Sequence, residues 1–245
     1  MDDYSRGRIQ SRVLRDSDSL LLRLFIEKDK SVILKLWNRR GIRSVIRSFT
    51  NSDPASRECN TLQALSNLGI ATPKLLGRMK IRYDKIPYNY CVFTEDLGST
   101  TTATKVLNKY ISNKNEVAIN DLEYKIISLT EILFSNGIVD PDNILANMLI
   151  DHNGKFWRID FELAQKAKFS NSLVGLRGKM IGRLIASYTW AVQPELWRVQ
   201  QFSSKLANTL ILSENVKTKA LKVFNEHVNK QYDEIGIDSR TSLPW

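Results

Sequence analysis

Two polar clusters, Asp140-Pro141-Asp142-Asn143 with Asn147 and then Asp160-Phe161-Glu162, stand at either end of a short segment with a hairpin pattern. The apolar runs Met148-Leu149-Ile150 and Phe156-Trp157-Arg158-Ile159 flank Asp151-His152-Asn153-Gly154, and such a turn between two apolar runs predicts two antiparallel strands. A hairpin brings the chain back to where it began. It therefore sets Asn147, at the start of one strand, beside Asp160, at the end of its partner, although 13 residues separate them. A helical pattern over residues 122–134, closed by Asn136-Gly137, leads into the first cluster. Asp and Asn are also common turn residues, so a hairpin alone would account for any one of them. It is the whole set, at its intervals, that carries a chemical reading.

That reading follows from charge. A phosphoryl group in transfer is densely anionic, so catalysing its movement is mainly a matter of positioning it and neutralising its oxygens. Oxygen donors on a hard cation such as magnesium supply the neutralisation. Asp142 lies five residues before Asn147, the interval between the catalytic Asp and the Asn of a kinase catalytic loop. Asp160-Phe161-Glu162 is close to Asp-Phe-Gly, whose Asp binds metal. Asp142 is the candidate catalytic residue, and Asn147 and Asp160 are the candidate magnesium ligands.

The first third of the chain offers a matching pair. Residues 20–26 and 31–37 read as strands around the polar turn Glu27-Lys28-Asp29-Lys30, and Val32-Ile33-Leu34-Lys35 is similar to the Val-Ala-Ile-Lys of a nucleotide-binding strand. A helix beginning near Ser56 follows, with Leu62, Leu65 and Leu68 on one apolar face and Glu58 in its first turn. A strand lysine and a helical glutamate are usually solvated surface charges. In this order of elements they read as a phosphate-binding lysine and the carboxylate that holds it.

Taken together, Ile33-Leu34-Lys35, Arg57-Glu58, Leu68-Gly69-Ile70-Ala71-Thr72-Pro73, Phe93-Thr94-Glu95-Asp96-Leu97, Asp140-Pro141-Asp142 with Asn147, and Ile159-Asp160-Phe161-Glu162 resemble the protein-kinase-like superfamily. Within it, the chain looks like the bacterial lipopolysaccharide kinases that phosphorylate Kdo or heptose of the inner core. The resemblance runs over about residues 20–212. It implies an α+β bilobal fold, with a small β-rich N-lobe over residues 1–97 and a mainly helical C-lobe over residues 98–245. It also implies ATP and Mg2+, bound where the lobes meet, and a sugar hydroxyl as acceptor. Lys35 would contact the phosphates and Glu58 would hold Lys35. The backbone of the hinge, Glu95 and Leu97 included, would meet adenine.

Three positions depart from the pattern. Asp140 stands where kinases carry His, two residues before the catalytic Asp. No Gly-x-Gly-x-x-Gly precedes Lys35, only Arg15-Asp16-Ser17-Asp18-Ser19. Glu162 replaces the Gly of the metal motif, which leaves the ligand Asp160 in place. Only 85 residues follow Asp160, a short remainder that fits a compact kinase of small or lipid-linked acceptors.

Composition narrows the partners. The net charge of +10 points to an anionic partner or surface. Six basic residues and no acidic one fall between Lys30 and Ser52, and Arg39, Arg43 and Arg47 recur at helical spacing as one stripe. Such a stripe suits an anionic inner-membrane face or an acidic lipid-linked core sugar, each basic residue contributing about 1 kcal/mol near an anionic leaflet; a solvated helix face is the plainer reading. Aromatic and basic residues are not interleaved, so no nucleic acid is expected. Cys59 and Cys91 fall on a helix and a strand as buried apolar residues, and His152 and His227 are too few for a zinc site.

No apolar run approaches the roughly 18 residues of a membrane span, and the start lacks a secretory pattern, so a cytoplasmic protein, peripheral on the inner membrane, is expected. Residues 179–187 and 190–212 read as two further amphipathic helices, with Trp190 and Trp197 in the core. Two other readings stay open. One is a kinase of another acceptor, protein Ser/Thr or an aminoglycoside; the other is a catalytically silent kinase-like binding protein.

Overall fold

Alternating apolar residues build the first part of the chain into strands. The structure is a computed structural model that describes residues 10–16, 19–27, 30–37, 53–83, 86–166, 170–235 and 243–245. The basic stripe Arg39, Arg43 and Arg47 lies outside the described residues. Two units divide the chain, Met1–Gly98 and Ser99–Trp245.

The first unit is an antiparallel sheet with one helix. Strands β1 (Gln10–Asp16), β2 (Leu20–Glu27), β3 (Lys30–Trp37), β4 (Leu75–Tyr83) and β5 (Ile86–Glu95) are ordered β1-β2-β3-β5-β4. Lys35 on β3 pairs with Leu21 on β2 and with Val92 on β5, so its strand is central. Helix α1 (Pro54–Asn67) begins where Asp53 accepts the Ser56 N–H at 2.9 Å, with Pro54 in its first turn. Arg78 of β4 closes on the same Asp53 carboxylate at 2.9 Å, tying the helix start to the sheet. Ala55 and Cys59 of α1 pack on Trp37, Tyr90 and Val92, and Cys91 is buried as well.

Two expectations change here. The helix starts at Pro54, so Glu58 lies in its second turn, and Leu68, which falls at the C-cap, is 40% exposed instead of facing the core. Strand β1 had no sequence signal because it is an exposed edge strand, mostly polar, with no buried face to impose alternation. Of the polar stretch in the place of a glycine-rich loop, Arg15 and Asp16 end β1, and Arg15 donates to Ser19 Oγ at 2.7 Å.

The second unit is mostly helical. It comprises β6 (Thr100–Thr102), α2 (Ala103–Ser112), α3 (Glu116–Ser135), β7 (Ile138–Val139), a 3-10 turn (Leu145–Asn147), β8 (Met148–Asp151), β9 (Phe156–Arg158), β10 (Gln165–Lys166), α4 (Ser170–Ala191), α5 (Trp197–Leu210) and α6 (Glu214–Ile235). Strands β6, β8 and β9 form one small sheet, and β7 pairs with β10. Helix α4 is buried along Met180, Ile181, Leu184, Ile185 and Tyr188, and Tyr188 stacks on Phe202 of α5 at 4.0 Å. Arg198 of α5 binds Glu116 of α3 at 2.5 Å and Glu195 at 2.5 Å, which fixes the start of α5.

The expected helix over residues 190–212 is broken. Helix α4 runs through Trp190 to Ala191 and α5 starts at Trp197, because Pro194 has no N–H to donate and disfavours helical geometry at Gln193. Trp197 is half exposed, with the Arg198 guanidinium over its ring at 4.3 Å, so it is not a core residue.

Glycines set the distance between α4 and α6. A Cβ on Gly182 would lie 2.5 Å from the Ala220 carbonyl oxygen and 2.8 Å from Val223 Cβ. Gly182→Ala is therefore expected to destabilise the protein by about 1–3 kcal/mol, the usual cost of overpacking, as a lower urea midpoint. An unchanged midpoint would mean that the two helices separate at no cost.

Candidate active site

Each unit holds one set of candidate residues. In the first, Lys35 Nζ donates to Glu58 Oε2 at 2.9 Å, with both side chains more than nine-tenths buried. Burial makes this pair specific, because two charges out of water require close partners. The ammonium also lies 4.8 Å from the centre of the Trp37 ring. At the end of β5 the Glu95 N–H donates to Lys74 O at 2.9 Å, while its carboxylate accepts the Lys74 N–H at 2.7 Å. Asp96 is held by Arg23 at 2.5 Å and by Ser31 at 2.6 Å, and it accepts the Gly98 N–H at 2.9 Å. The segment from Glu95 through Leu97 to Gly98 is thus pinned on both sides of Leu97.

In the second unit the hairpin forms as the apolar pattern requires. Met148 pairs with Arg158 and Ile150 with Phe156, and Ile159 N–H donates to Asn147 O at 3.0 Å, one step beyond the last strand pair. Asn147 and Asp160 therefore flank the open end of one hairpin. Asp142 joins them: the Asn147 amide nitrogen donates to Asp142 O and to Asp142 Oδ2, each at 3.1 Å. Asp160 adopts φ +64°, a left-handed conformation that a non-glycine residue rarely takes, and this turns the chain sharply after β9.

One buried ion pair supports the loop, and the sequence reading had passed over its cation. Arg158 sits in β9 as if it were an apolar strand residue, yet its guanidinium is fully buried against the fully buried carboxylate of Asp140. Arg158 donates further to Asp142 O at 3.1 Å, to Asn147 O at 3.0 Å and to Ile159 O. Asp140 in turn accepts the Asp142 N–H at 2.9 Å. The backbone support usually given by His is here made by an Asp–Arg pair spanning both halves of the motif. Burial pushes the Asp140 carboxyl up to about 6 against the pull of Arg158. The signal was legible: an Arg in an apolar strand and an unexplained Asp before the loop are each costly unless they meet.

Helix α4 braces the loop from the other side. Ser187 Oγ accepts the Leu145 N–H at 3.2 Å, and Arg183, one turn earlier, binds Asp142 Oδ1 at 2.7 Å. Asn143 is fully buried and donates to Thr130 Oγ1 of α3 at 3.3 Å.

The donor chemistry fits magnesium. Because the Asn147 amide nitrogen faces Asp142, its carbonyl oxygen is left as a cation donor, and Asp160 adds a carboxylate from the neighbouring strand end.

The sequence model described as "Lipopolysaccharide kinase (Kdo/WaaP) family" matches residues 6–172. A solved structure titled "WaaP in complex with acyl carrier protein" superposes with a TM-score of 0.59 at 13% identity, covering 95% of this chain and 93% of its own. Another, "ROP2 from Toxoplasma gondii: A virulence factor with a protein-kinase fold and no enzymatic activity", gives 0.49 at 14% identity, covering 93% of this chain and 82% of its own. No curated protein gives a significant match. The first likeness shows the fold: a protein-kinase-like arrangement of a β-rich N-terminal part and a helical C-terminal part.

Proposed function

The chain belongs to the lipopolysaccharide kinase (Kdo/WaaP) family, whose enzymes are phosphotransferases with a hydroxyl acceptor, and we propose that it phosphorylates an inner-core sugar, Kdo or heptose, from ATP. The observation that carries this reading is the Asp142 carboxylate, held by Arg183 and Asn147 beside the hairpin end that presents Asp160. Asp142 takes the proton of the acceptor hydroxyl as that oxygen forms its bond to the γ-phosphorus. The bond to the β,γ-bridging oxygen breaks, and ADP leaves with the electron pair. Asn147 and Asp160 would hold Mg2+, which neutralises phosphate oxygens when bound. Lys35, steadied by Glu58, contacts the nucleotide phosphates. Adenine meets the backbone of Glu95 and Leu97; since the Glu95 N–H is already bonded to Lys74, its carbonyl is the group offered.

Lys35→Met is expected to weaken ATP binding by about 10- to 100-fold, the equivalent of one hydrogen bond between charged groups. Titration with a fluorescent ATP analogue measures this, and unchanged affinity would remove Lys35 from the phosphate site.

The acceptor is tested by offering lipid A precursor bearing Kdo or heptose, a protein substrate and an aminoglycoside in parallel with γ-labelled ATP. Label on the lipid-linked sugar supports the proposal. Label on the protein or the aminoglycoside moves the acceptor elsewhere, and nucleotide binding without transfer to any of them favours a silent binding protein. The acceptor is lipid-linked, so the anionic inner-membrane surface belongs to the same proposal, with the charge of +10 supporting it. No helix among the described residues is long and apolar enough to cross a membrane. The acyl carrier protein of the WaaP structure adds a protein partner to be tried by co-elution.

A further inference from the structure

Arg183 lies outside the motifs that define the site. It belongs to α4, 23 residues beyond Asp160, and its helix is otherwise a core element of the second unit. Yet its guanidinium binds Asp142 Oδ1 at 2.7 Å, while the other carboxylate oxygen, Oδ2, accepts from Asn147 at 3.1 Å. Both side chains of the Arg183–Asp142 pair are about one-quarter exposed, so the contact lies at the rim of the loop and solvent reaches it. Ser187, four residues along the same face, accepts the Leu145 N–H, which fixes the helix against the loop and with it the origin of the Arg183 side chain.

From this geometry we infer that Arg183 is a positioning residue for phosphoryl transfer, clamping the Asp142 carboxylate in one orientation and offsetting its charge. The inference rests on the role of Asp142 proposed above. A carboxylate held at one oxygen only rotates about its Cβ–Cγ bond. Held at both, by Arg183 and by Asn147, it keeps one lone pair of each oxygen directed at a fixed place, which is what a base needs to meet a hydroxyl in line with the γ-phosphorus. The charge matters as well. In the transition state negative charge is crowded on Asp142, the attacking oxygen and the phosphoryl group, and the guanidinium offsets part of it without entering the hairpin end where Asn147 and Asp160 lie. Arg suits this task better than Lys because its planar fork fixes direction as well as charge.

The test uses the full-length protein and its Arg183→Met, Arg183→Lys and Arg183→Ala variants. Two activities are measured: transfer to the Kdo- or heptose-bearing lipid, and basal hydrolysis of ATP by water. Arg183→Met is expected to lower kcat by about tenfold or more while KM for ATP stays within about twofold, the signature of an interaction used in the transition state. Arg183→Lys should recover part of the loss, and free guanidinium ion should restore Arg183→Ala saturably while leaving Asp142→Ala inactive. Thermal melts of each variant separate these effects from unfolding. Turnover of Arg183→Met within about threefold of wild type would overturn the inference, as would equal losses in Met and Lys variants with no guanidinium rescue. A wild-type protein that hydrolyses ATP without transferring to the lipid would overturn the acceptor assignment alone, and Arg183 would then stand or fall on the hydrolysis rates. A wild-type protein that does neither overturns both.

Discussion

Replacing Asp142 with Asn should lower turnover by about 100- to 10,000-fold, the contribution of a positioned general base, with ATP binding kept within a few-fold. Asn is the informative substitution because it preserves the volume of the side chain, and its carbonyl oxygen still accepts from Arg183 or Asn147. What is lost is the ability to take a proton. Single-turnover transfer from γ-labelled ATP reports the chemical step, and equilibrium titration with an ATP analogue reports binding. Turnover above about a tenth of wild type would show that the acceptor hydroxyl loses its proton elsewhere, since a dissociative transition state makes modest demands on a base. A parallel loss of nucleotide binding would instead assign Asp142 to the metal or phosphate site.

Arg158→Ala is expected to cost about 3–5 kcal/mol of stability, because it leaves the buried Asp140 carboxylate without its cation. For a chain of this size that is a fall of about 6–20 °C in Tm. Burial raises the pKa of Asp140 and Arg158 lowers it, so without Arg158 that pKa rises further. The double variant Asp140→Leu with Arg158→Met is expected to recover most of the stability, since apolar residues of similar size often replace a buried ion pair at little cost. It should not recover activity. Arg158 also donates to the backbone oxygens of Asp142 and Asn147, and an apolar side chain removes those two bonds between the halves of the motif. Differential scanning calorimetry with transfer assays on the same samples separates the two effects. A double variant as active as wild type would mean that the pair contributes stability and nothing to loop geometry.

These two residues mark where the sequence was informative and where it was not. The meeting of Asp142, Asn147 and Asp160 was legible because their spacing is local: a loop and a hairpin are set by short-range periodicity and turn chemistry, which a chain carries in its order of residues. Lys35 and Glu58 were legible from the order of strand and helix, and their contact at 2.9 Å follows once α1 packs on the sheet. Strand β1 escaped notice because an exposed edge has no apolar alternation. The break between α4 and α5 was signalled by Pro194, but the amphipathic pattern on either side of it outweighed that one residue.

Amino-acid order alone carried the resemblance that implied the class of fold and of reaction, and it set Asn147 and Asp160 at one hairpin end, because motifs and turns lie within short stretches of chain. Tertiary structure decided which partners hold them. Arg158 meets Asp140 across 18 residues, and Arg183 meets Asp142 across 41. No periodicity encodes such pairings. They follow from burial, which makes an unpaired charge too costly to leave, and from the packing of α4, whose glycines let α6 approach on one side while Arg183 and Ser187 reach the loop.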